Sequence, residues 1–447
     1  MLVLRNIALG FVVVLAFSAL CCAGCFGQIE MPRADRMPVT GEILPGSEPL
    51  DRLDEVMRRI LASHEVPGAG LAIAHDGKLI VARGYGWADL EPRRPMEPTT
   101  PFDLASVSKS ITAVGVLKLV EEGRLALDER AFERIGMLRA PPGRRIDPRL
   151  REVTIRMLLN HSGGWSRKER HGDPISYEER AHRELRVPLP VTAEQLIYYV
   201  NGERLDFDPG TEQVYSNYGF MVLGYLVEVV TGDGYARWVE RNVLEPMGIR
   251  DVRMTPLRRP ESGPEYLPGE AHRYRAGTVR ALPGGHTGPT GAAGGWCASA
   301  VSMAKFLTAV DGTRTGRPFL DERLMQAMLA RPEPPLEVRK NGSWFGLGWD
   351  RVRGMRDWPH EDENDRLAYG KDGGVPGIST WIEHLPGGID WVVLFNASAH
   401  PEAQPERAER PSEAEEGNAL QDAQKEVVGL LREVQAWPRG DLFEKYR

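Results

Sequence analysis

Strand-like sequence occurs near both ends of this chain and not in its middle, and this distribution limits the folds that it can adopt. Residues 69–74 and 78–84 have strand character and are joined by Asp76-Gly77, a dipeptide typical of tight hairpins. Three further strand-like runs occur late in the chain, at 344–351, 377–385 and 390–396. We therefore expect one antiparallel sheet completed by both ends of the chain.

The region between these strands has a different character. From 125 to 290, short helical patterns alternate with loops rich in Gly, Pro and Arg, and Thr192 with Gln195 forms a capping-box pattern. Other helical patterns cover 49–64, 105–122, 218–230, 299–310, 321–330 and 420–434. The predicted fold class is therefore α/β of the α+β type. An antiparallel sheet is flanked by helices from both chain ends, and an all-helical domain is inserted.

The predicted domain boundaries follow from this change of character. The sheet domain comprises 49–124 and 291–447, and the helical domain comprises 125–290. A Pro- and Gly-bearing linker precedes them at 26–48.

The first 25 residues have the pattern of an export signal. Arg5 precedes an apolar run at 7–20, and small residues follow it. We therefore expect a signal peptide at 1–25 and an exported protein, periplasmic or extracellular. Cys22-Ala23-Gly24-Cys25 is similar to a bacterial lipobox, although Cys22 stands where Leu is usual. Attachment to a membrane through lipidation of Cys25 and a plain signal peptide both stay open.

Charge and histidine placement exclude several kinds of partner. The chain of 447 residues carries 56 Lys and Arg against 63 Asp and Glu, which argues against nucleic-acid binding. Its ten histidines show no HExxH pattern and no Cys/His spacing typical of metal ligands. The sequence therefore predicts no metal and no cofactor, with a small molecule or short peptide as substrate. It does not indicate an oligomeric state.

Three short motifs could together build an acyl-transfer site, and each of them occurs twice. They are Ser-x-x-Lys, Tyr-x-Asn and Lys-x-Gly. The pairs are Ser106/Lys109 and Ser302/Lys305, Tyr199/Asn201 and Tyr215/Asn217, and Lys340/Gly342 and Lys371/Gly373. One copy of each must therefore be excluded by its order or its context.

Order excludes one Ser-x-x-Lys copy, and context excludes one Tyr-x-Asn copy. No Tyr-x-Asn follows Ser302 and Lys305, which we interpret as polar positions on an exposed helix face. Tyr199 lies within a helical pattern, where it is expected to pack. Tyr215 lies in a loop that directly precedes an apolar helix, and loops on a rigid scaffold commonly carry site residues.

Context also separates the two Lys-x-Gly copies. Lys340 follows Pro-rich polar sequence and predicts a turn. Lys371 immediately precedes strand-like residues, and the glycines Gly373 and Gly374 permit close approach of a ligand to the backbone.

The remaining residues form a coherent set for nucleophilic catalysis. Ser106 and Lys109 are three residues apart and share a helix face. A serine needs a base, and Lys109 could be that base if burial and Lys371 lower its pKa. Tyr215, partly as phenolate, is the alternative base, and the sequence does not choose between them. Asn217 would orient Lys109 or hold a substrate amide.

These motifs resemble those of the serine β-lactamase and penicillin-binding-protein superfamily. The closest resemblance is to its branch of class C β-lactamases, D-aminopeptidases and esterases. The segments concerned are Ala105-Ser106-Val107-Ser108-Lys109, Tyr215-Ser216-Asn217 and Lys371-Asp372-Gly373-Gly374. The resemblance extends over about residues 50–398 and the last helix. It implies a β-lactamase/transpeptidase-like fold with the site between the sheet and the helical domain.

The resemblance also implies roles. Ser106 would be the nucleophile, and Lys109 and Tyr215 would carry protons. Lys371 would help to bind a substrate carboxylate, and the backbone N–H groups of Ser106 and Gly374 would form an oxyanion hole. The remaining positions of the motifs are predicted to bind substrate, namely Asn217 and Gly373.

One residue departs from the resemblance. Asp372 replaces the small hydroxyl residue common at that position, and an acidic group there disfavours a β-lactam carboxylate. His161 lies in a segment similar to a family landmark and is expected to be a structural hydrogen bonder. We expect a serine hydrolase acting on an ester, a small amide or a D-amino-acid peptide. The alternative is a non-catalytic protein of the same fold that binds cell-wall fragments.

Overall fold

The computed structural model describes most of the chain. The described residues are 36–167, 172–257, 265–286, 288–313, 316–355, 357–359, 367–398 and 418–446. The predicted signal segment 1–25, with Cys25, lies outside them. Within the described ranges, no helix has the length and apolar character that crossing a membrane requires.

Strands and helices of the described residues are numbered in chain order. The strands are β1 (Val39–Ile43), β2 (Gly68–His75), β3 (Lys78–Leu90), β4 (Arg93–Pro95), β5 (Phe102–Asp103), β6 (Arg253–Met254), β7 (Tyr274–Arg275), β8 (Trp296–Ala298), β9 (Arg351–Gly354), β10 (Leu367–Val375), β11 (Ile378–Leu385), β12 (Ile389–Phe395) and β13 (Ala397–Ser398). The helices are α1 (Glu48–Asp51), α2 (Leu53–Ser63), α3 (Ser108–Glu121), α4 (Ala131–Arg134), α5 (Ile155–Leu159), α6 (Glu178–Leu185), α7 (Ala193–Val200), α8 (Asn217–Thr231), α9 (Tyr235–Val239), α10 (Gly291–Gly294), α11 (Ala300–Val310), α12 (Glu322–Leu329) and α13 (Ala419–Glu433).

The main sheet is antiparallel and is built from both ends of the chain, as the sequence predicts. Its strand order is β1-β3-β2-β12-β11-β10-β9, and β4 pairs with β3. The join between the two halves is the pairing of β2 with β12, which runs from Ala69 opposite Phe395 to His75 opposite Ile389. The β2–β3 hairpin turns at Asp76-Gly77, where both residues have positive φ.

The prediction of a linker at 26–48 is wrong for residues 39–43, which form β1 at the edge of the main sheet. This strand pairs with β3, from Val39 opposite Tyr85 to Ile43 opposite Val81. All five of its residues are partly exposed. A buried strand is recognised by a continuous apolar run, and an exposed edge strand has no such run. The composition of 39–43 therefore does not distinguish this strand from a linker.

The late strands also differ from the prediction in their bounds. The strand expected at 344–351 begins only at Arg351. Within 344–350, Trp344 forms an isolated β-bridge with Val352. Lys371, expected to precede a strand, lies inside β10, whose glycines pass close to the chain before α3. A Cβ on Gly373 would lie 2.3 Å from the carbonyl oxygen of Leu104, so glycine is required there.

Side chains that alternate along the strands divide the core into two layers. On one face, Leu71 and Ile73 of β2 pack in the cluster that includes α2 and α13. On the other face, Ala72 and Ala74 pack in the cluster that includes α3 and α11. Each fully buried Leu or Ile of these layers contributes roughly 1.5–3 kcal/mol to folding. The sheet is therefore covered on both faces.

The segment 125–290, predicted to be all helical, contains α4–α9 and also two short strands. β6 pairs with β8, and β7 pairs in parallel with β13, so the end of this segment joins strands from elsewhere in the chain. The capping box predicted at Thr192 and Gln195 is present at the start of α7. Helix α3 is buried along nearly its whole length, between the sheet and this segment.

Candidate active site

The chain enters α3 through a strained turn that carries Ser106. Residues 105–107 form one turn of 3₁₀ helix, and Ala105 adopts a left-handed φ of +46°. The Ala105 N–H donates to Asp103 Oδ1 at 2.6 Å and holds this conformation. Left-handed backbone at a residue other than glycine costs of the order of 1 kcal/mol and is typical of functional sites. The turn places Ser106 at the start of α3, partly exposed.

The structure brings three of the predicted residues together around one hydroxyl. The Tyr215 hydroxyl lies 2.6 Å from Ser106 Oγ, and Lys109 Nζ lies 3.2 Å from the same atom. Tyr215 precedes α8, and Lys109 lies one turn after Ser106, as the i to i+3 spacing predicts. The three side chains come from two segments more than 100 positions apart.

Lys109 is fully buried, and its amine has two further partners. Nζ lies 2.7 Å from Asn217 Oδ1 and 2.5 Å from the carbonyl oxygen of Ala293. Burial, followed by the positive charge of Lys371, holds the pKa of Lys109 well below its usual value. This is the direction that the sequence predicts, and it favours a neutral amine beside the serine.

Tyr215 differs from the expectation that it is partly a phenolate. Burial of its hydroxyl raises the pKa of Tyr215 to about 12, although the nearby Lys371 acts in the opposite direction. Its ring lies 4.9 Å from both Lys109 Nζ and Lys371 Nζ. The phenol is therefore protonated near neutral pH and acts as a hydrogen-bond donor to Ser106.

His161 supports the loop that carries Tyr215. Its Nδ1 accepts a hydrogen bond from the Ser216 N–H at 3.2 Å, and its ring lies 4.6 Å from the Tyr215 ring. Burial lowers the pKa of His161 to about 4, so the imidazole is neutral. These contacts are those of the structural hydrogen bonder that the sequence predicts.

Lys371 is already paired in this structure. It is fully buried, and its Nζ forms an ion pair with Asp350, which is also buried. Burial lowers the pKa of Lys371, but the Asp350 carboxylate outweighs it, and the net direction is upward. The charge predicted to bind a substrate carboxylate is therefore neutralised by a residue of the chain itself.

Sequence reasoning missed two residues of the site, Asp350 and Asp173. Asp173 accepts hydrogen bonds from the backbone N–H groups of Asn217 and Tyr218, at 2.5 and 3.1 Å, and so fixes the start of α8. Neither belongs to a repeated motif. For Asp173, the available signal was its place before Pro174, a pattern typical of a helix start. For Asp350, the only signal was an acidic residue that directly follows the segment Gly346–Trp349.

A cavity of about 490 Å³ opens beside Ser106. Tyr215, Asn217, Asp372 and Gly374 line it, whereas Lys371 does not. Both predicted oxyanion-hole residues, Ser106 and Gly374, line the cavity, and a Cβ on the neighbouring Gly373 would be 3.1 Å from the Ser106 nitrogen. The arrangement offers a nucleophile, a buried amine, a neutral phenol and a strand edge against which a substrate could lie.

The excluded copies of the motifs lie away from this cavity. Tyr199 is buried and its hydroxyl bonds Glu184 at 2.7 Å, as expected for packing. Lys340 lies in a turn. Ser302 is buried rather than exposed, because its hydroxyl donates to Asp251 at 2.6 Å, so that part of the prediction is wrong.

One cluster in the described residues has donor atoms that could hold a metal. The nearest atoms of Asp311, His384 and Asp390 lie within 4.8 Å of one another. Burial lowers the pKa of His384, but its bonds to the two carboxylates outweigh this and raise it to about 10. The imidazolium is therefore itself the cation of this cluster, and none of the three lines the cavity.

Comparisons with known proteins place this chain among related sequences and folds. A model of the Beta-lactamase family matches residues 53–417. Esterase EstB of Burkholderia gladioli is 29% identical over 320 residues, covering 67% of this chain and 78% of that protein. Protein flp of Staphylococcus aureus is 24% identical over 196 residues. This match covers 44% of this chain and 36% of flp, so the chain spans about a third of the length of that relative. The octameric penicillin-binding protein homologue from Pyrococcus abyssi superposes with a TM-score of 0.60 at 25% identity, covering 79% of this chain and 74% of that one.

Proposed function

The chain belongs to the β-lactamase family, and we propose that it is a serine hydrolase that forms an acyl-enzyme at Ser106. The observation that carries this proposal is the set of partners of Lys109. A neutral amine has two N–H donors and one lone pair. Asn217 Oδ1 and the Ala293 carbonyl oxygen can only accept, so they take both donors. The lone pair is left for the hydroxyl proton of Ser106.

In this arrangement Lys109 is the general base. Ser106 Oγ attacks the substrate carbonyl carbon while its proton passes to Lys109. The Tyr215 hydroxyl, protonated and 2.6 Å from Ser106 Oγ, gives its proton to the leaving group as the bond to the carbonyl breaks. Tyr215 regains a proton from Lys109, so that acylation ends with both groups in their starting states. Water then hydrolyses the acyl-enzyme by the reverse proton movements.

The negative charge of the tetrahedral intermediate needs donors that are already in position. We assign this role to the backbone N–H groups of Ser106 and Gly374. Gly374 lines the cavity, and the strand that carries it passes against the turn at Ser106. Donors fixed by backbone need no reorganisation during the reaction, and removal of one such donor typically costs about 10²–10³-fold in rate.

We propose an ester, a small amide or a D-amino-acid peptide as the substrate, in preference to a β-lactam. Lys371 is paired with Asp350, and Asp372 adds a negative charge to the cavity, so an anionic substrate gains little there. The similarity to an esterase over two thirds of the chain supports the ester class.

The cellular location is proposed from the sequence alone. We propose that residues 1–25 direct export, with lipidation of Cys25 as the alternative to a plain signal peptide. Labelling of the expressed full chain with an alkyne-tagged fatty acid tests the second point. Label that persists after Cys25→Ser would contradict it.

The central test is covalent labelling. Intact-mass spectrometry after exposure to a fluorophosphonate, a penicillin and a short-chain nitrophenyl ester should show an adduct on Ser106 with at least the fluorophosphonate. Ser106→Ala should abolish the adduct, and Ser302→Ala, which removes the serine of the other Ser-x-x-Lys, should retain it. A folded protein that takes no adduct from any of the three reagents would be a binding protein and not a hydrolase.

A further inference from the structure

The cavity beside Ser106 is lined by three carboxylates, and two of them are paired. Asp103 forms an ion pair with Arg273, and Asp350 forms one with Lys371. Within the part of the chain that the structure describes, the third, Asp372, has neither an ion pair nor a hydrogen-bond partner. A carboxylate facing a cavity without a counter-charge is a site of attraction for a cation.

Asp372 and Tyr215 line the same cavity. Asp372 follows Lys371 in β10, opposite Trp381 of β11, and precedes the glycines that pass the turn at Ser106. Burial is the main cause that raises the pKa of Tyr215. Burial lowers the pKa of Lys371, and the Asp350 carboxylate is the main cause that raises it against this effect. The negative charge of Asp372 acts in the same upward direction on both pKa values. Tyr215 is the proposed proton donor to the leaving group. Asp372 is therefore close to the leaving-group half of a bound substrate.

None of the cations that line the cavity or lie beside it forms an ion pair with Asp372 within the described residues. Arg273 and Lys371 are held by Asp103 and Asp350. Arg167 is exposed, and its guanidinium lies over the Tyr215 ring at 5.2 Å, without an ion pair to Asp372. A substrate that enters the cavity thus meets one carboxylate that still lacks a partner.

We propose that Asp372 binds a positively charged group on the leaving-group side of the substrate, so that the enzyme selects cationic esters or amides over neutral and anionic ones. This inference rests on the proposed hydrolase function. It assigns to Asp372 a role in specificity, and no part in the proton transfers at Ser106.

The test compares three thioesters with the same acetyl group. Acetylthiocholine has a cationic leaving group, 3,3-dimethylbutyl thioacetate is its uncharged isostere, and S-acetyl-3-mercaptopropionate is anionic. With the full chain and a thiol reagent, kcat/KM should fall in that order. The cationic ester should be preferred to its isostere by about tenfold at low salt, and this preference should shrink as salt is added.

Substitutions of Asp372 and of a control aspartate distinguish an effect of the Asp372 charge from an effect on folding. Asp372→Asn should reduce the cation preference to about unity and raise kcat/KM for the anionic ester, whereas Asp372→Glu should retain the wild-type order. Asp51→Asn removes the same charge from an exposed helix outside the cavity and should change none of the three ratios. The ratios are internal to each variant, so a partly unfolded preparation does not alter them.

The outcomes distinguish the two proposals. If wild type hydrolyses the three thioesters at equal rates, or if Asp372→Asn keeps the cation preference, the role of Asp372 is wrong while the hydrolase function stands. If no thioester is cleaved and no fluorophosphonate adduct forms on Ser106, the hydrolase function itself fails.

Discussion

The two Ser-x-x-Lys segments have the same spacing and begin buried helices, yet only one of them resembles a catalytic site. At α3, the Lys109 amine is fully buried and meets the Ser106 hydroxyl. At α11, the Lys305 amine instead donates to the carbonyl oxygen of Gly248 at 2.6 Å, and Ser302 donates to Asp251. Spacing places the two residues on one helix face. The surroundings decide whether the amine is neutral and turned toward the hydroxyl.

The largest expected effect comes from the two lysines. Lys109→Met removes the proposed base and should lower kcat/KM for an uncharged ester by about 10³-fold, within the usual range for loss of a general base. Lys305→Met, its matched control, should leave kcat/KM within about twofold, because its amine has no contact with the cavity. Steady-state kinetics of both variants measures this. Equal losses in the two would contradict the assignment.

The two tyrosines extend the same comparison with a smaller effect. Tyr215→Phe removes the hydrogen bond to Ser106 and the proposed proton donor, so kcat/KM should fall by about 10²-fold. Tyr199→Phe removes the hydrogen bonds of its hydroxyl to Glu184 and Arg144, both outside the cavity, and should leave catalysis unchanged. The loss in Tyr215→Phe should be smaller for an ester with a nitrophenolate leaving group than for an alkyl ester. A loss independent of leaving group would argue that Tyr215 acts only through packing.

The pH profile tests whether the Lys109 amine is the base. Its pKa is lowered, so the neutral form is populated above that lowered pKa and is lost as pH falls through it. We expect kcat/KM for an uncharged ester to rise with pH by about tenfold per unit on the acid side and then level off. The neutral Tyr215, with its pKa near 12, allows this plateau to extend well into alkaline pH. A rate that falls between about pH 6 and about pH 9 would contradict this assignment.

The smallest effect is expected at the second Ser-x-x-Lys. Ser302→Ala breaks its hydrogen bond to Asp251 and should lower the free energy of unfolding by about 1 kcal/mol. Its kcat/KM should equal that of wild type when corrected for the folded fraction. Urea denaturation followed by fluorescence measures the change in stability, and a loss of turnover beyond it would show that α11 contributes to the site.

The sequence predicted the parts of this molecule that depend on local pattern. The hairpin at Asp76-Gly77 and the capping box at Thr192 each follow from a few adjacent residues. The grouping of Ser106, Lys109 and Tyr215 was also predicted, because motif order and a family resemblance supply long-range information that local propensity lacks.

The parts that escaped prediction depend on partners far away in the chain. The strand at 39–43 is defined only by its pairing with β3, since its own residues are partly exposed. Asp350 carries no motif, and its importance arises because β10 brings Lys371 against it. The prediction that 371–374 precedes a strand was wrong for a similar reason, because these residues lie inside β10. Glycine normally marks a turn, but Gly373 is needed within β10 for close contact with Leu104.

The pairing of β2 with β12 has a consequence for how this protein is made. The Gly68 N–H donates to Asn396 Oδ1, a contact between residues 328 positions apart. A topology dominated by such distant contacts has a high contact order, and chains of this kind fold slowly. During synthesis the nucleophile emerges long before the strand that completes its surroundings. The surroundings of Ser106 are therefore completed only after β10, late in the chain, has been synthesised.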